Sequence, residues 1–190
     1  KGFRGVVVVD EAYVHYASAD CMKLATSPRN RNVIVMRTFS KAYSLAGLRV
    51  GYCVGPKDLI DALFKIKDSY NVDAIAQTLA LAAFRDQKTL KATVRKVIAT
   101  RTWFVAELAK RGWDVLKPEA NFIFAKPPAA AGNASKVAEK VFAKLRERKI
   151  FIRYFKGPKT GDRVRISIGT DAQMKRVLRE IDDILQQKGA

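Results

Sequence analysis

The feature that most constrains this chain is an unbroken run of four valines, Val6-Val7-Val8-Val9, ending at once in Asp10-Glu11. β-Branched side chains favour the extended backbone, and four in a row leave no polar face to turn toward water. Such a run reads as a strand buried on both faces, the pattern of a parallel sheet covered by helices. A buried central strand is rarely the first element of a complete domain. The sequence is therefore expected to begin inside one, with further sheet ahead of it. Val33-Ile34-Val35-Met36-Arg37 reads as a second strand, and Val50 to Val54 as a third, bounded by Gly51 and Gly55.

Helical periodicity takes over after the third strand. Pro56 opens an amphipathic helix carrying Leu59, Ile60, Leu63 and Phe64. Residues 72–84 are an Ala/Leu-rich helix. Residues 88–111 predict a long helix, with Leu90, Val94, Val97, Ile98, Val105 and Leu108 close to a 3.6-residue period and Gly112 as its C-cap. The adjacent Trp103 and Phe104 read as helix packing. Short strands follow at 113–116 and 121–125, then a helix over 135–148. Phe151 to Phe155 and Val164 to Ile168 read as paired strands around a Gly157-Pro158…Gly161 turn. Thr170 with Gln173 forms a capping-box pattern that opens the last helix. The predicted class is α/β. Residues 1–84 form part of a large domain with a mainly parallel sheet, and 85–190 a small α+β C-terminal domain.

Composition narrows the function classes. At 48% hydrophobic and 28% charged, the chain can bury a core. No apolar run reaches the roughly 18 residues needed to span a bilayer, so no membrane partner is expected. Cys21 and Cys53 make no disulfide framework and fit a reducing, cytoplasmic setting without secretion. No metal site is expected. The net charge is +18, from 36 basic and 18 acidic residues, a balance that favours polyanions. The basic residues are spread, however, as in Lys88, Lys91, Arg95, Lys96 and Arg101, and a solvated helix face accounts for most of them. Nucleic-acid binding is not expected as the main function, since no zinc finger, RNP motif or basic zipper is present.

In open α/β sheets ligands bind outside the carboxyl ends of the strands. Here the first strand delivers Asp10-Glu11-Ala12-Tyr13, and the second Thr38-Phe39-Ser40-Lys41. Taken singly, each polar residue has an ordinary reading. A lysine is usually a solvated charge, an aspartate a turn cap, an arginine a surface ion pair. Together they offer the set that a lysine–pyridoxal site needs: an amine, a carboxylate for a pyridine nitrogen, a hydroxyl, and an arginine fork for phosphate. His15, the only histidine, has no acid or nucleophile spaced to partner it and is read as structural.

Asp10-Glu11-Ala12-Tyr13, followed by Thr38 through Tyr52 (Thr-Phe-Ser-Lys-Ala-Tyr-Ser-Leu-Ala-Gly-Leu-Arg-Val-Gly-Tyr), resembles the active-site core of fold-type-I, pyridoxal-5′-phosphate (PLP) dependent class I/II aminotransferases. It is most similar to the histidinol-phosphate aminotransferases. Tyr70-Asn71-Val72 with Ala76-Gln77, Asn121-Phe122, Phe151 through Phe155 and Arg165 through Thr170 extend the likeness over nearly the whole chain. Ser44 stands where that family more often has Gly or Ala. The resemblance implies that Lys41 is the Schiff-base lysine and proton shuttle, that Asp10 pairs with the pyridinium, and that Tyr13 bonds the phenolic oxygen. It implies that Thr38, Ser40 and Arg49 hold the cofactor phosphate, while Arg165 binds the acidic group of the substrate with Arg153 adding a second positive charge. Arg163 rivals Arg165, because residues two apart in a strand share a face.

By the same resemblance the chain is the C-terminal portion of a PLP transferase. The preceding half would supply a ring-stacking aromatic, an asparagine and an N-terminal arm. The whole would transfer an amino group between an amino acid or amino-alcohol phosphate and a 2-oxo acid, plausibly histidinol phosphate and 2-oxoglutarate in histidine biosynthesis. The alternatives are another fold-type-I enzyme, such as an aromatic aminotransferase or a threonine-phosphate decarboxylase, or a non-catalytic truncated module. A homodimer, or association with the missing N-terminal part, is expected. The isolated 190 residues are expected to be inactive.

Overall fold

A computed structural model describes residues 3–130 and 132–186. They form two compact units, Lys1–Val94 and Arg95–Ala190. The long helix α4, Gln87–Lys110, begins in the first unit and runs on into the second.

In the first unit β1 (Val7–Asp10), β2 (Val33–Thr38) and β3 (Gly51–Val54) make a sheet of order β1-β2-β3. β1 runs parallel to β2, with Asp10 opposite Met36. β3 runs antiparallel to β2, with Gly51 opposite Thr38. A side chain at Gly51 would come within 2.8 Å of the Arg37 carbonyl oxygen, so this crossing needs glycine. One face of the sheet packs on the short helix α1 (Met22–Ala25) through Val33, Val35 and Ala25.

The valine run is extended as expected but is not buried. Val6 and Val7 are exposed, and Val8 is 52% exposed. Among the described residues β1 pairs on one side only, and Val8 lies on the same face as the exposed Met36. β-Branching sets the backbone; burial needs neighbours on the free edge and face. Helix α2 (Lys57–Ile66) shows the same condition. It begins after Pro56 and is amphipathic, yet none of its residues is buried, and Phe64 and Ile66 are 64% and 80% exposed. Apolar surface of this extent favours association. Sedimentation is expected to show species heavier than one chain, and Phe64→Lys to reduce them. A single monomer boundary at every concentration would remove the expectation. Helix α3 (Ala74–Arg85) is capped by Asp73, whose carboxylate accepts the Ala76 N–H at 2.8 Å.

The second unit is an antiparallel sheet of order β4-β5-β7-β6, from β4 (Asp114–Val115), β5 (Phe122–Lys126), β6 (Arg153–Tyr154) and β7 (Val164–Ser167). The end of α4 and the helices α5 (Ala134–Glu147) and α6 (Asp171–Gln186) join Ile123, Val164 and Ile166 of the sheet in one core, in which Phe104, Leu108, Leu145 and Ile181 are fully buried. Phe104 is thus helix packing, as its position predicts. Strand β6 is shorter than the expected 151–155. Gly112 adopts φ +75°, and the Trp113 N–H donates to the Leu108 carbonyl at 3.1 Å, closing α4. Thr170 and Gln173 exchange both capping-box bonds, at 2.8 and 3.3 Å.

Most of the basic residues on α4 are exposed, but Arg101 is buried and donates to the Ala120 carbonyl at 2.6 Å. Among the described residues no helix is long and apolar enough to cross a membrane, and no group of His, Cys, Asp and Glu is set to hold a metal. Cys21 and Cys53 are free thiols.

Candidate active site

Parallel pairing brings the carboxyl ends of β1 and β2 side by side, and β2 continues beyond Asp10 to Thr38. The segment from Phe39 to Val50 then folds back on itself. The Phe39 N–H donates to Val50 O at 3.1 Å, the Leu45 N–H to Phe39 O at 3.0 Å, and the Ser44 N–H to Lys41 O at 3.0 Å. Phe39 and Val50 pack with Ala76 and Ala80 of α3, and Ala42 is buried too. Lys41 is therefore held between two anchored neighbours.

The result is one open cleft of about 620 Å³ lined by Asp10, Thr38, Ser40, Lys41 and Arg49, with Gly51 and Cys53 of β3 as its floor. Tyr13 stands beside it, its ring centre 5.4 Å from Lys41 Nζ. Asp10 accepts the Ala12 N–H at 2.9 Å, so one carboxylate oxygen also shapes the turn after β1. The Thr38 hydroxyl oxygen accepts the Ser40 N–H at 3.0 Å and lies 3.4 Å from Val50 O. Arg49 has φ 56°, a left-handed conformation that costs a non-glycine residue about 1 kcal/mol or more, and its guanidinium donates to Ala46 O at 2.7 Å.

Behind the strand ends lies a pair that the sequence did not single out. Arg37 Nε donates to Glu11 Oε2 at 2.8 Å, and a second guanidinium nitrogen reaches the same oxygen at 2.8 Å. The Cys21 N–H donates to the other Glu11 oxygen. Both side chains are largely buried. Burial alone would lower the Arg37 pKa, but hydrogen bonds to Glu11 and Tyr52 outweigh it and raise it. The pair joins the residue after Asp10 to the residue before Thr38.

In the second unit, Arg153 of β6 and Arg165 of β7 face each other in register. They line a separate cleft of about 430 Å³ with Arg146 and Ser167. The Arg165 guanidinium lies 5.0 Å from the Phe122 ring centre and 5.5 Å from that of Phe155. Its buried Nε has no hydrogen-bond partner among the described residues. The rival Arg163 instead forms an ion pair with Asp114 at 2.5 Å.

Residues 1–181 match the family model for aminotransferase class I and II. This chain belongs to that family. It is 47% identical to "Histidinol-phosphate aminotransferase 1" of Nostoc sp. (strain PCC 7120) over 97% of its own length and 50% of that protein's. It is 44% identical to the histidinol-phosphate aminotransferase of Geobacter sp. (strain M21), over 95% of its length and 49% of that protein's. The chain thus spans about half the length of the curated relatives it matches. The crystal structure of histidinol-phosphate aminotransferase from Sinorhizobium meliloti, in complex with pyridoxal-5′-phosphate, superposes with a TM-score of 0.84 at 30% identity, covering 95% of this chain and 49% of that one. L-threonine-O-3-phosphate decarboxylase from Porphyromonas gingivalis gives a TM-score of 0.76 over 95% of this chain and 55% of that one, at 23% identity, and so shares the fold.

Two local features of this aminotransferase-family chain now have physical reasons. Ser44 has φ 58°, a left-handed conformation that glycine adopts without strain and serine does not. His15 meets Tyr43 edge-on, ring centres 5.3 Å apart. Burial, and next the Arg37 charge, hold His15 below its ordinary 6.5, with Glu11 opposing. Its proton is therefore bound more weakly folded than unfolded. The stability this contributes is full above pH 6.5 and is lost as pH falls from 6.5 through the depressed value. His15→Gln is expected to flatten that decline. Parallel urea-midpoint profiles for both proteins between about pH 5 and 7 would remove the assignment.

Proposed function

We propose that this chain carries the lysine-bearing half of a PLP-dependent transaminase site and is the C-terminal portion of such an enzyme. The observation that carries the reading is the convergence of Lys41, Asp10, Thr38, Ser40 and Arg49 on one cleft at the ends of two parallel strands. This donor set fits the cofactor. Lys41 is the one primary amine among the residues lining the cleft, and Asp10 supplies a carboxylate, Arg37 and Arg49 cations, and Thr38 and Ser40 hydroxyls. Pyridoxal phosphate supplies, when bound, a protonated ring able to take up electrons from an amino-acid α-carbon.

The chain's own residues account for the rest. Lys41 Nζ would be the nucleophile that attaches the cofactor and the base that takes up and returns the substrate's α-proton. The Asp10 carboxylate would hold positive charge on the pyridine nitrogen, and the Tyr13 hydroxyl would bond the phenolic oxygen. Arg49 and the hydroxyls of Thr38 and Ser40 would hold the phosphate. At 3.4 Å the Thr38–Val50 contact is long, and a phosphate oxygen is the better acceptor. Arg165, with Arg153, binds the acidic group of the substrate. The names of the relatives from Nostoc and Geobacter support histidinol phosphate as the amino donor. The proposed acceptor is 2-oxoglutarate. Association with a second chain, or with the half that relatives carry in addition, completes the site. The cytoplasm is the proposed setting.

The test is to add pyridoxal phosphate, reduce with borohydride and map the modified peptide. The expected product is a pyridoxyl group on Lys41. Exclusive modification of another lysine would overturn the assignment.

A further inference from the structure

We infer that Arg146 is a specificity residue: the third guanidinium of the Arg153–Arg165 cleft, selecting a dianionic phosphomonoester over a monocarboxylate. This rests on the reading of Arg165 and Arg153 as substrate-binding.

The first observation is the charge of the cleft. Arg146 reaches it from α5 and meets Arg153, Arg165 and the Ser167 hydroxyl there, and no carboxylate is among the lining residues. Elsewhere in this unit several arginines find acids. Arg111 pairs with Asp182 and Glu107, Arg148 with Glu180 and Asp183, and Arg163 with Asp114. Here, by contrast, three guanidiniums line one cleft with no carboxylate beside them. Like charges held together repel, and an anion between them removes that cost.

The second observation concerns Arg165 itself. Two aromatic rings fix its guanidinium, and its buried Nε has no partner among the described residues. A guanidinium held this way is preorganised to donate to an incoming oxygen.

The chemistry then separates the ligand classes. A carboxylate has two oxygens and one charge, which a facing pair of arginines already satisfies. A phosphomonoester near neutral pH has three terminal oxygens and close to two charges. Only the dianion has an oxygen and a charge left for a third guanidinium. Arg146 is exposed, so it can reorient without disturbing the core.

The experiment titrates this chain with inorganic phosphate and, separately, acetate at low ionic strength. The amide NMR signals of Arg165 and Ser167 are followed, and those of Ser40 report any binding at the other cleft. Arg146→Gln is expected to weaken phosphate binding about five- to tenfold and acetate binding less than about twofold. Arg165→Gln is expected to weaken both. Arg146→Lys is expected to restore part of the phosphate affinity, since it returns the charge without the fork. Equal losses for the two anions in Arg146→Gln would overturn the inference. So would an unchanged phosphate affinity, or no phosphate response at Arg165 and Ser167 in the wild type. Cofactor attachment at Lys41 is read separately by borohydride mapping, so failure here leaves that reading standing, and its failure leaves this one.

Discussion

Lys41→Ala is expected to abolish covalent, borohydride-trappable attachment of pyridoxal phosphate while leaving the fold intact. Lys41 is only partly buried, and its ammonium lies 5.4 Å from the Tyr13 ring centre. Removing its amine should therefore cost less than about 1 kcal/mol of stability. The loop that carries it is held by Phe39, Ala42 and Val50, none of which the substitution touches. Non-covalent binding through Asp10, Thr38, Ser40 and Arg49 should persist, because those groups line the cleft independently of the amine. The measurement is mass spectrometry after reduction, with cofactor retention on a desalting column and a urea midpoint run in parallel. A trapped adduct of wild-type yield in the alanine variant would place the reactive amine elsewhere. Loss of folding would show that Lys41 is structural.

Breaking the Glu11–Arg37 pair is expected to give the largest stability loss near the site. Glu11 is 7% exposed, and it accepts two guanidinium bonds and one backbone N–H. Glu11→Gln keeps the shape but leaves the largely buried Arg37 charge with only the longer 3.7 Å contact to the half-exposed Asp20, at a cost of about 3 kcal/mol. Arg37→Met should cost a similar amount through the orphaned carboxylate. The double variant should be less destabilised than the sum of the two, because neither charge is then left buried alone. Denaturant unfolding of all four proteins gives the coupling energy, and a value near zero would reduce the pair to incidental contact. The same pair ties the end of β1 to the end of β2, so cofactor attachment at Lys41 should fall in Glu11→Gln even under conditions where the chain stays folded.

Neighbours in sequence dictated a good deal. The strands β1 and β2 follow from β-branched runs. Helix α4 follows from its 3.6-residue period, its end from Gly112, and the start of α6 from the Thr170–Gln173 box. All of these depend on backbone preferences and on side chains within a few residues. The order of Asp10, Thr38, Ser40, Lys41 and Arg49 was legible for a related reason, since residues at strand ends are delivered to one edge of a parallel pair.

Burial and charge compensation were decided in three dimensions. The valine run is extended but exposed, because burial depends on what lies against the free edge and face of β1. Arg163 and Arg165 are equivalent by spacing, and only the fold pairs Arg163 with Asp114, far away in the chain, while Arg165 lines a cleft with Arg153. Glu11 and Arg37 adjoin the motif residues, yet nothing in their spacing announces an ion pair across 26 positions. Arg146 is one of many basic residues on a helix until the fold sets it beside Arg153 and Arg165. Sequence determined which backbone and which chemical groups this chain has, because propensity and spacing are local. Tertiary structure decided which charges are compensated and which are left for a ligand, because desolvation and Coulomb attraction depend on distance in space.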